Sequence, residues 1–214
     1  DTHKGGRDAL ENLRQIFPKF GVTAFLPSVP SCPCAEIEQT AKACIDTMAN
    51  NGIGADVLGL YSEGMCVSQS KRGAQVQTDI CTVENFVNLL HKYKNVFRIV
   101  TLAPEVSQCE PIFLTCMNLG IIPSYGHSSA SYSEATEAFD SGFRHVTHLF
   151  NAMGGVEIEN PDGSITMVLT DKGKKKVVTF NIDNIEIKKP KVWDRKWRLV
   201  IFDIPEKKRQ ARDV

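Results

Sequence analysis

The chain of 214 residues is long enough for one large domain or two small ones, and its 42% hydrophobic content is sufficient for a buried core. Its 25 basic and 25 acidic residues balance, so the overall charge identifies no class of charged partner. No apolar run approaches the roughly 18 residues needed to span a bilayer, and the polar start is unlike a signal peptide. We therefore expect a cytoplasmic protein with no membrane partner.

The charges are distributed unevenly along the chain. Residues 156–214 contain 14 basic and 10 acidic residues, whereas residues 1–155 contain 11 basic and 15 acidic residues. The net charges of +4 and −4 predict two segments of different origin.

All seven cysteines lie in the first segment. Their number is odd and none belongs to a CxxC pair, so we expect reduced, cytosolic thiols. The seven are Cys32, Cys34, Cys44, Cys66, Cys81, Cys109 and Cys116.

Strand-like and helix-like segments alternate through the first 153 residues. In chain order, the predicted strands are 21–27, 55–64, 96–105, 121–127 and 143–153, and the predicted helices are 34–52, 82–94, 109–120 and 131–142. Alternation with apolar strands is typical of parallel βαβ units. Because such connections all run the same way, functional groups are expected where the strands end.

Three polar side chains lie at the ends of predicted strands. His127 ends one strand, His148 ends the next, and Glu63 ends an earlier one. Two imidazoles and a carboxylate that converge from three strand ends can bind a borderline divalent ion such as zinc and leave a position open for water. Water bound to such an ion loses a proton near neutral pH and attacks a carbonyl carbon.

The alternative for each histidine is a structural role with a hydrogen-bonded ring. Side chains alternate along a strand, so His145 lies on the opposite face from His148 and must have a different role. Spacing alone does not decide between a metal ligand and a structural histidine.

Five phrases in the first segment resemble one enzyme family. GVTAFLPS, VLGLYSEG, TLAPE, GHSSASYSEA and HVTHLFNAM follow in the order and spacing seen in N-acetylglucosamine-6-phosphate deacetylases of the amidohydrolase superfamily. The resemblance covers about residues 1–153. It implies a (β/α)8 barrel in which a metal-activated water hydrolyses the acetamide of a phosphorylated amino sugar.

The resemblance also implies roles for individual residues. Glu63, His127 and His148 match the ligands of one divalent metal ion, for which zinc is expected and iron or another divalent ion is the alternative. The matched substrate contacts are Ala74, Asn151 and Ala152.

Three phrases depart from the family pattern. The His-x-His pair that ends the first strand of the family corresponds here to His3 and Gly5, and His-Leu-Glu-Gly-Pro corresponds to Tyr-Ser-Glu-Gly-Met at 61–65. A family histidine that helps to bind substrate is replaced by Gln75. These departures weaken the expected substrate site and leave the three predicted ligands unchanged.

The family's general base, an aspartate on the last barrel strand, has no counterpart because no strand-helix unit is predicted after Met153. The loss of a general base typically costs about 10² to 10⁴ in rate. A complete barrel needs about 250 residues and eight strands. The predicted fold is therefore α/β, a partial (β/α)8 TIM-type barrel of about six parallel strands, with weak or absent turnover. Its open edges favour a homo-oligomer.

Residues 154–214 follow a different pattern. LTDKGKKK and WDRKWRLVIFDIPEKKRQARD resemble the phenylacetate-operon repressor family and its relatives among the CRISPR adaptation nucleases. The resemblance implies a small α+β fragment: a winged-helix wing with a basic helix (154–182), a charged linker (183–196) and the start of a ferredoxin-like unit (197–214). Both resemblances are interrupted near Gly154, which predicts a chimera of two truncated parents.

The C-terminal segment supports an alternative function as a nucleic-acid-binding transcriptional regulator. Four clustered lysines could contact phosphates, because such contacts need only positive charge. A lysine run is more often a solvated face, and we favour that interpretation and the metal-dependent hydrolase. The four are Lys172, Lys174, Lys175 and Lys176.

Overall fold

A computed structural model describes residues 2–50, 52–75, 79–149 and 151–153, together with the backbone of 157–159 and 165–167. The side chains of residues 2–4 lie outside this description. The chain divides into two compact units, residues 1–154 and 155–214.

Helices and strands alternate through most of the first unit. Its elements are α1 (Thr2–Ile16), β1 (Ala24–Phe25), β2 (Ser28–Val29), α2 (Cys34–Ala49), β3 (Asp56–Val57), β4 (Leu60–Cys66), α3 (Val83–Lys92), β5 (Phe97–Leu102), α4 (Glu110–Leu119), β6 (Ile122–Tyr125), α5 (Tyr132–Ser141) and β7 (His145–Val146), with 3₁₀ turns at Phe17–Phe20, Gln69–Lys71 and Ser107–Cys109. Among the described helices, none combines the length and apolar character needed to cross a membrane. In the second unit, β8 (Glu157–Glu159) and β9 (Ile165–Met167) pair antiparallel.

A five-stranded parallel sheet forms the centre of the first unit. Its strand order is β2-β4-β5-β6-β7, and β1 and β3 form a separate parallel pair. Each helix that follows β2, β4, β5 or β6 returns the chain so that the next strand runs parallel to the last. The predicted α/β class with parallel strands is confirmed, and the partial barrel of about six strands stays a prediction.

The four predicted helices are confirmed within three residues at each end. The side chain of Thr82 accepts a hydrogen bond from the backbone N–H of Asn85 and so caps α3. Ser131 and Glu134 form a reciprocal capping box at the start of α5. Local sequence signals therefore determine where these helices begin.

The predicted strand 55–64 is divided into β3 and β4. Gly59 lies between them with φ +143°, a conformation that other residues rarely adopt. A Cβ at this position would overlap the carbonyl oxygen of Val96, the residue before β5. The strand is therefore interrupted where its backbone approaches that of Val96.

Helix α1 was not predicted, and its presence changes the context of His3. The expected family counterpart of His3 ends a strand, whereas Thr2–Ile16 is helical here, with a kink at Gly6. The helix follows a 3.6-residue pattern in which Leu10 is fully buried. His3 therefore lies in a helix and not at a strand end.

Apolar side chains from helices and strands meet in one continuous core. Phe86 of α3 and Phe97 of β5 pack edge to face, with ring centroids 5.9 Å apart. Leu10, Ile37 and Ile112, from α1, α2 and α4, are each fully buried. Burial of each such side chain contributes about 1.5–3 kcal/mol, which holds the helices against the sheet.

Four of the seven cysteines form disulfides, so the expectation of seven reduced thiols is wrong. Cys34 pairs with Cys81 across 47 residues, and Cys66 pairs with Cys109 across 43 residues. Spacing along the sequence could not reveal pairs that meet only after the chain folds. The three free cysteines are Cys32, Cys44 and Cys116, and burial raises their thiol pKa values to about 11, 12 and 12.

The guanidinium of Arg14 fastens α1 to the loop that follows α2. It donates to the carbonyl oxygens of Asn50 at 3.2 Å, Gly52 at 2.7 Å and Ala55 at 3.2 Å. Arg14 is 3% exposed, so its guanidinium has little access to water as a replacement partner. This role was not predictable from the sequence, because the contacts join residues about 40 positions apart.

We expect Arg14→Met to lower the free energy of unfolding by about 3 kcal/mol, because the buried side chain loses its hydrogen bonds to three backbone carbonyls. Urea unfolding of the full chain measures this effect, with Arg7→Met, at an exposed position of the same helix, as the matched control. Equal unfolding midpoints for the two variants would contradict the structural role of Arg14.

Candidate metal centre

Three polar side chains from different strand ends meet at one edge of the central sheet. Glu63 belongs to β4, His127 lies two residues after β6, and His148 lies two residues after β7. The strands are parallel, so their carboxyl ends lie at the same edge. The structure therefore brings together the three residues that the strand ends predicted.

The potential ligand atoms lie at distances that suit a shared ion. Glu63 Oε1 is 2.9 Å from His127 Nε2 and 3.5 Å from His148 Nε2, and the two Nε2 atoms are 3.0 Å apart. Ligands of a tetrahedral zinc ion lie about 3.4 Å from one another, given bond lengths of about 2.0–2.2 Å. Among the described residues, this is the one group of three or more metal-ligating side chains within such reach.

The Nδ1 atom of each imidazole points away from the cluster and forms a hydrogen bond with a backbone carbonyl. His127 Nδ1 donates to the carbonyl oxygen of Lys71 at 2.8 Å, and His148 Nδ1 donates to that of Asn151 at 3.0 Å. A carbonyl oxygen can only accept, so each Nδ1 carries hydrogen and each neutral ring presents the Nε2 lone pair to the cluster.

This arrangement leaves three electron-pair donors facing one another. Two imidazole lone pairs and a carboxylate repel at about 3 Å unless a proton or a cation lies among them. The donor set therefore fits a divalent ion on the geometry of this chain alone. Two nitrogens and one oxygen are the ligand chemistry of catalytic zinc and of non-haem iron.

Backbone conformations that side chains rarely adopt are concentrated at this site. His127 has φ 49°, His148 has φ 30° and Ala152 has φ 50°. Such conformations cost about 1–3 kcal/mol each for residues other than glycine and persist when surrounding contacts enforce them. The two ligand loops are therefore held in place by the packing around them.

The cluster changes the proton affinities of its members. Burial opposes ionisation of Glu63, but the adjacent imidazoles of His127 and His148 outweigh it and lower the carboxyl pKa from 4.5 to about 2. The hydrogen bond to Glu63 raises the pKa of His148 above 6.5, against the opposing effect of burial. The contact with Glu63 therefore favours the protonated form of His148.

Glu105 holds the loop that carries His127, a role that the sequence did not reveal. It follows β5 and accepts hydrogen bonds from Ser128 Oγ at 2.6 Å, Ser129 N at 2.6 Å and Ser129 Oγ at 3.0 Å. Ser68 contacts the same loop through Ser129 Oγ and the carbonyl oxygen of His127, both at 2.8 Å. Its place at a strand end was the available signal for Glu105.

A network of hydroxyl groups lies beside the cluster. Tyr61 Oη contacts the hydroxyls of Thr101 and Thr147 at 2.8 Å, and Ser124 Oγ joins Thr147 at 2.6 Å. Burial and the charge of Glu63 raise the pKa of Tyr61 to about 12, despite its hydroxyl partners. His145 Nδ1 contacts Ser124 Oγ at 2.8 Å, so its role differs from that of His148, as predicted.

The three predicted substrate contacts surround the cluster, although their roles stay predictions. Ala74 is exposed and follows Gly73 in a turn. A Cβ added at Gly73 would lie 3.9 Å from His127 Cε1, so this turn lies next to the cluster. The backbone N–H of Asn151 donates to the carbonyl oxygen of His148, and the carbonyl oxygen of Asn151 accepts from His148 Nδ1. The carbonyl oxygen of Ala152 accepts from the backbone N–H of Ser128. The side chain of Asn151 is exposed.

The remaining predicted residues lie outside the described part of the chain. They are Lys172, Lys174, Lys175 and Lys176, and their nucleic-acid role stays a prediction, as do the wing, linker and ferredoxin-like segments. The family profile "PaaX protein central Cas2-like domain" matches residues 190–214, which are also outside the described residues.

Comparison with known proteins connects the first unit to one group of enzymes. The N-acetylglucosamine-6-phosphate deacetylase of Bos taurus is 35% identical over 156 residues, which are 71% of this chain and 38% of the bovine protein. Over this part of its length, the chain resembles N-acetylglucosamine-6-phosphate deacetylases. It spans less than half of the length of the curated relatives that it matches.

Solved structures give the same result. The deacetylase from Pasteurella multocida is 27% identical with a TM-score of 0.55, over 67% of this chain and 37% of that one. A mutant deacetylase from Mycobacterium smegmatis in complex with N-acetyl-D-glucosamine-6-phosphate is 25% identical with a TM-score of 0.53, over 62% of this chain and 34% of that one. These similarities support an α/β fold of the deacetylase type.

In the metal-free chain, we expect Glu63 to stabilise the fold most between about pH 4.5 and 6.5. Its folded pKa is lowered, so its contribution is present above 4.5 and is lost as the pH falls towards 2. The folded pKa of His148 is raised, so its contribution is present below 6.5 and is lost as the pH rises through the folded value.

Urea unfolding with a chelator present measures this effect as the difference between wild type and Glu63→Gln. The difference should be larger at about pH 5.5 than at about pH 3 or pH 8. Glu137→Gln, at an exposed position of α5, is the matched control. A difference that does not vary with pH would contradict the ion pair.

Proposed function

We propose that the first unit binds one divalent metal ion through Glu63, His127 and His148 and serves metal-dependent hydrolysis of an amide. The observation that carries the proposal is the convergence of two Nε2 lone pairs and a carboxylate within 3.5 Å of one another. Both imidazoles are held in the metal-binding tautomer by carbonyl groups.

Zinc is the proposed ion, and iron is the alternative. Three protein ligands leave a coordination position open, as in catalytic rather than structural zinc sites. A bound divalent ion supplies Lewis-acid polarisation of a carbonyl group and lowers the pKa of water.

The chain's own residues position the reaction. Tyr61, with a pKa of about 12, stays protonated at neutral pH and gives the site a neutral hydroxyl neighbour. Glu105 holds the loop that carries His127 through its bonds to Ser128 and Ser129. The described residues include none to which we assign the role of general base.

The proposed substrate is N-acetylglucosamine 6-phosphate. Support comes from the 35% identity to the bovine deacetylase and from the similarity to the mycobacterial structure that contains this sugar phosphate. In the proposal, the exposed side chain of Asn151 and the turns at Ala74 and Ala152 face the phosphorylated sugar.

We expect the wild-type chain to retain about one equivalent of zinc after dialysis, and His127→Ala and His148→Ala to retain about 0.1 equivalent or less. Each substitution removes one of three ligands and leaves the others unable to hold the ion. Elemental analysis by mass spectrometry measures the metal content. His91→Ala, at an exposed position of α3, is the control and should retain wild-type zinc. Equal metal content in all four proteins would exclude this ligand set.

We expect the full chain to release acetate from N-acetylglucosamine 6-phosphate in a zinc-dependent reaction, and to release less from N-acetylglucosamine. The His127→Ala rate should be at least about 100-fold lower, because the loss of a ligand exceeds the effect of losing an outer-shell partner. A coupled acetate assay with and without chelator measures both rates. Zinc binding without acetate release would contradict the hydrolase function and retain the metal site.

A further inference from the structure

We infer that Gln75 is a positioning residue for the carboxylate of Glu63 and increases the affinity of the cluster for a divalent ion. The inference rests on the proposed function, because it concerns the same metal site. Gln75 Nε2 donates to Glu63 Oε1 at 3.2 Å. This is the same oxygen that contacts His127 and His148.

The orientation of the Gln75 amide is fixed from its other end. Its Oε1 accepts a hydrogen bond from the backbone N–H of Ser31 at 2.8 Å. A backbone N–H can only donate, so the oxygen of the amide must face Ser31 and the NH₂ group must face Glu63. The backbone N–H of Gln75 donates to the Arg72 carbonyl at 3.1 Å, which anchors the residue itself.

The absence of a side chain at Gly64 makes room for the Gln75 amide. Gly64, next to Glu63, has φ +101°, and a Cβ there would overlap both Gln75 Oε1 and Ser31 Oγ. Ser31 Oγ donates to the Gly64 carbonyl at 2.6 Å. These contacts therefore connect the loop after β2, strand β4 and the segment around Gln75 next to the carboxylate of Glu63.

An amide has a specific advantage as the donor at this position. It carries no charge and does not titrate, so it orients Glu63 without adding a cation that would repel a bound metal ion. A fixed carboxylate loses less conformational freedom when it binds an ion. Gln75 thus acts on a metal ligand, which differs from the substrate contact expected of a histidine at this position.

The experiment compares wild type with Gln75→Met and Gln75→Ala in the full chain. Methionine keeps the length of the side chain and removes both hydrogen bonds, and alanine is the second variant if the longer side chain disturbs folding. Competition with a chromophoric chelator measures the zinc Kd. We expect both variants to bind zinc about 10- to 100-fold more weakly at unchanged stoichiometry. Gln15→Met, at an exposed position of α1, should bind zinc as wild type does.

A second measurement separates positioning from general stability. With Co²⁺ in place of zinc, the visible absorption bands report the number and arrangement of ligands. A released Glu63 carboxylate changes these bands in the Gln75 variants, whereas a folded protein with an intact ligand set retains the wild-type spectrum. The Gln15→Met control should show the wild-type bands.

The outcomes distinguish this inference from the proposed function. Wild-type zinc affinity and Co²⁺ bands in folded Gln75→Met or Gln75→Ala would overturn the role of Gln75 and leave the metal site intact. Failure of wild type to bind either ion would overturn the proposed function, and the inference with it. Weaker binding with altered bands in the Gln75 variants alone supports the inference.

Discussion

Three electron-pair donors that meet within 3.5 Å of one another are the constraint on which the site depends. Without a positive charge among them, their mutual repulsion would drive Glu63, His127 and His148 apart. The fold opposes this by committing both Nδ1 atoms to carbonyl groups and by holding the two histidines at positive φ. The fold thus loses some stability by holding an arrangement that becomes favourable once a proton or a metal ion is present.

The residues beside Glu63 are neutral, whereas the residue that holds the His127 loop is charged. Tyr61 and its hydroxyl partners fill the space beside Glu63 without adding a charge, because burial keeps the phenol protonated. Gln75 contributes an uncharged donor. The carboxylate of Glu105 instead lies behind the His127 loop, where Ser128 and Ser129 satisfy it. The positive charge of a bound ion would therefore be balanced mainly by Glu63.

Two of the departures from the deacetylase pattern lie beside this one carboxylate. Tyr61 and Gln75 both replace residues expected from the resemblance, and the structure gives each of them a partner at or beside Glu63. The three candidate ligands match the pattern that the resemblance implies. The matched region covers 38% of the length of the bovine relative. In the proposed metal site, residues around Glu63 affect how an ion is held and leave the donor chemistry the same.

The sequence by itself determined the alternation of helices and strands from residue 21 onward and the three candidate ligands. Helix caps such as Thr82 and Ser131 are local signals, and parallel strands place Glu63, His127 and His148 at a common edge. The tertiary structure alone decided the partners of Arg14, Glu105 and Gln75 and the pairing of four cysteines. These contacts join residues 12 to 47 positions apart, and no local pattern encodes which distant groups the folded backbone will bring within hydrogen-bonding or covalent reach.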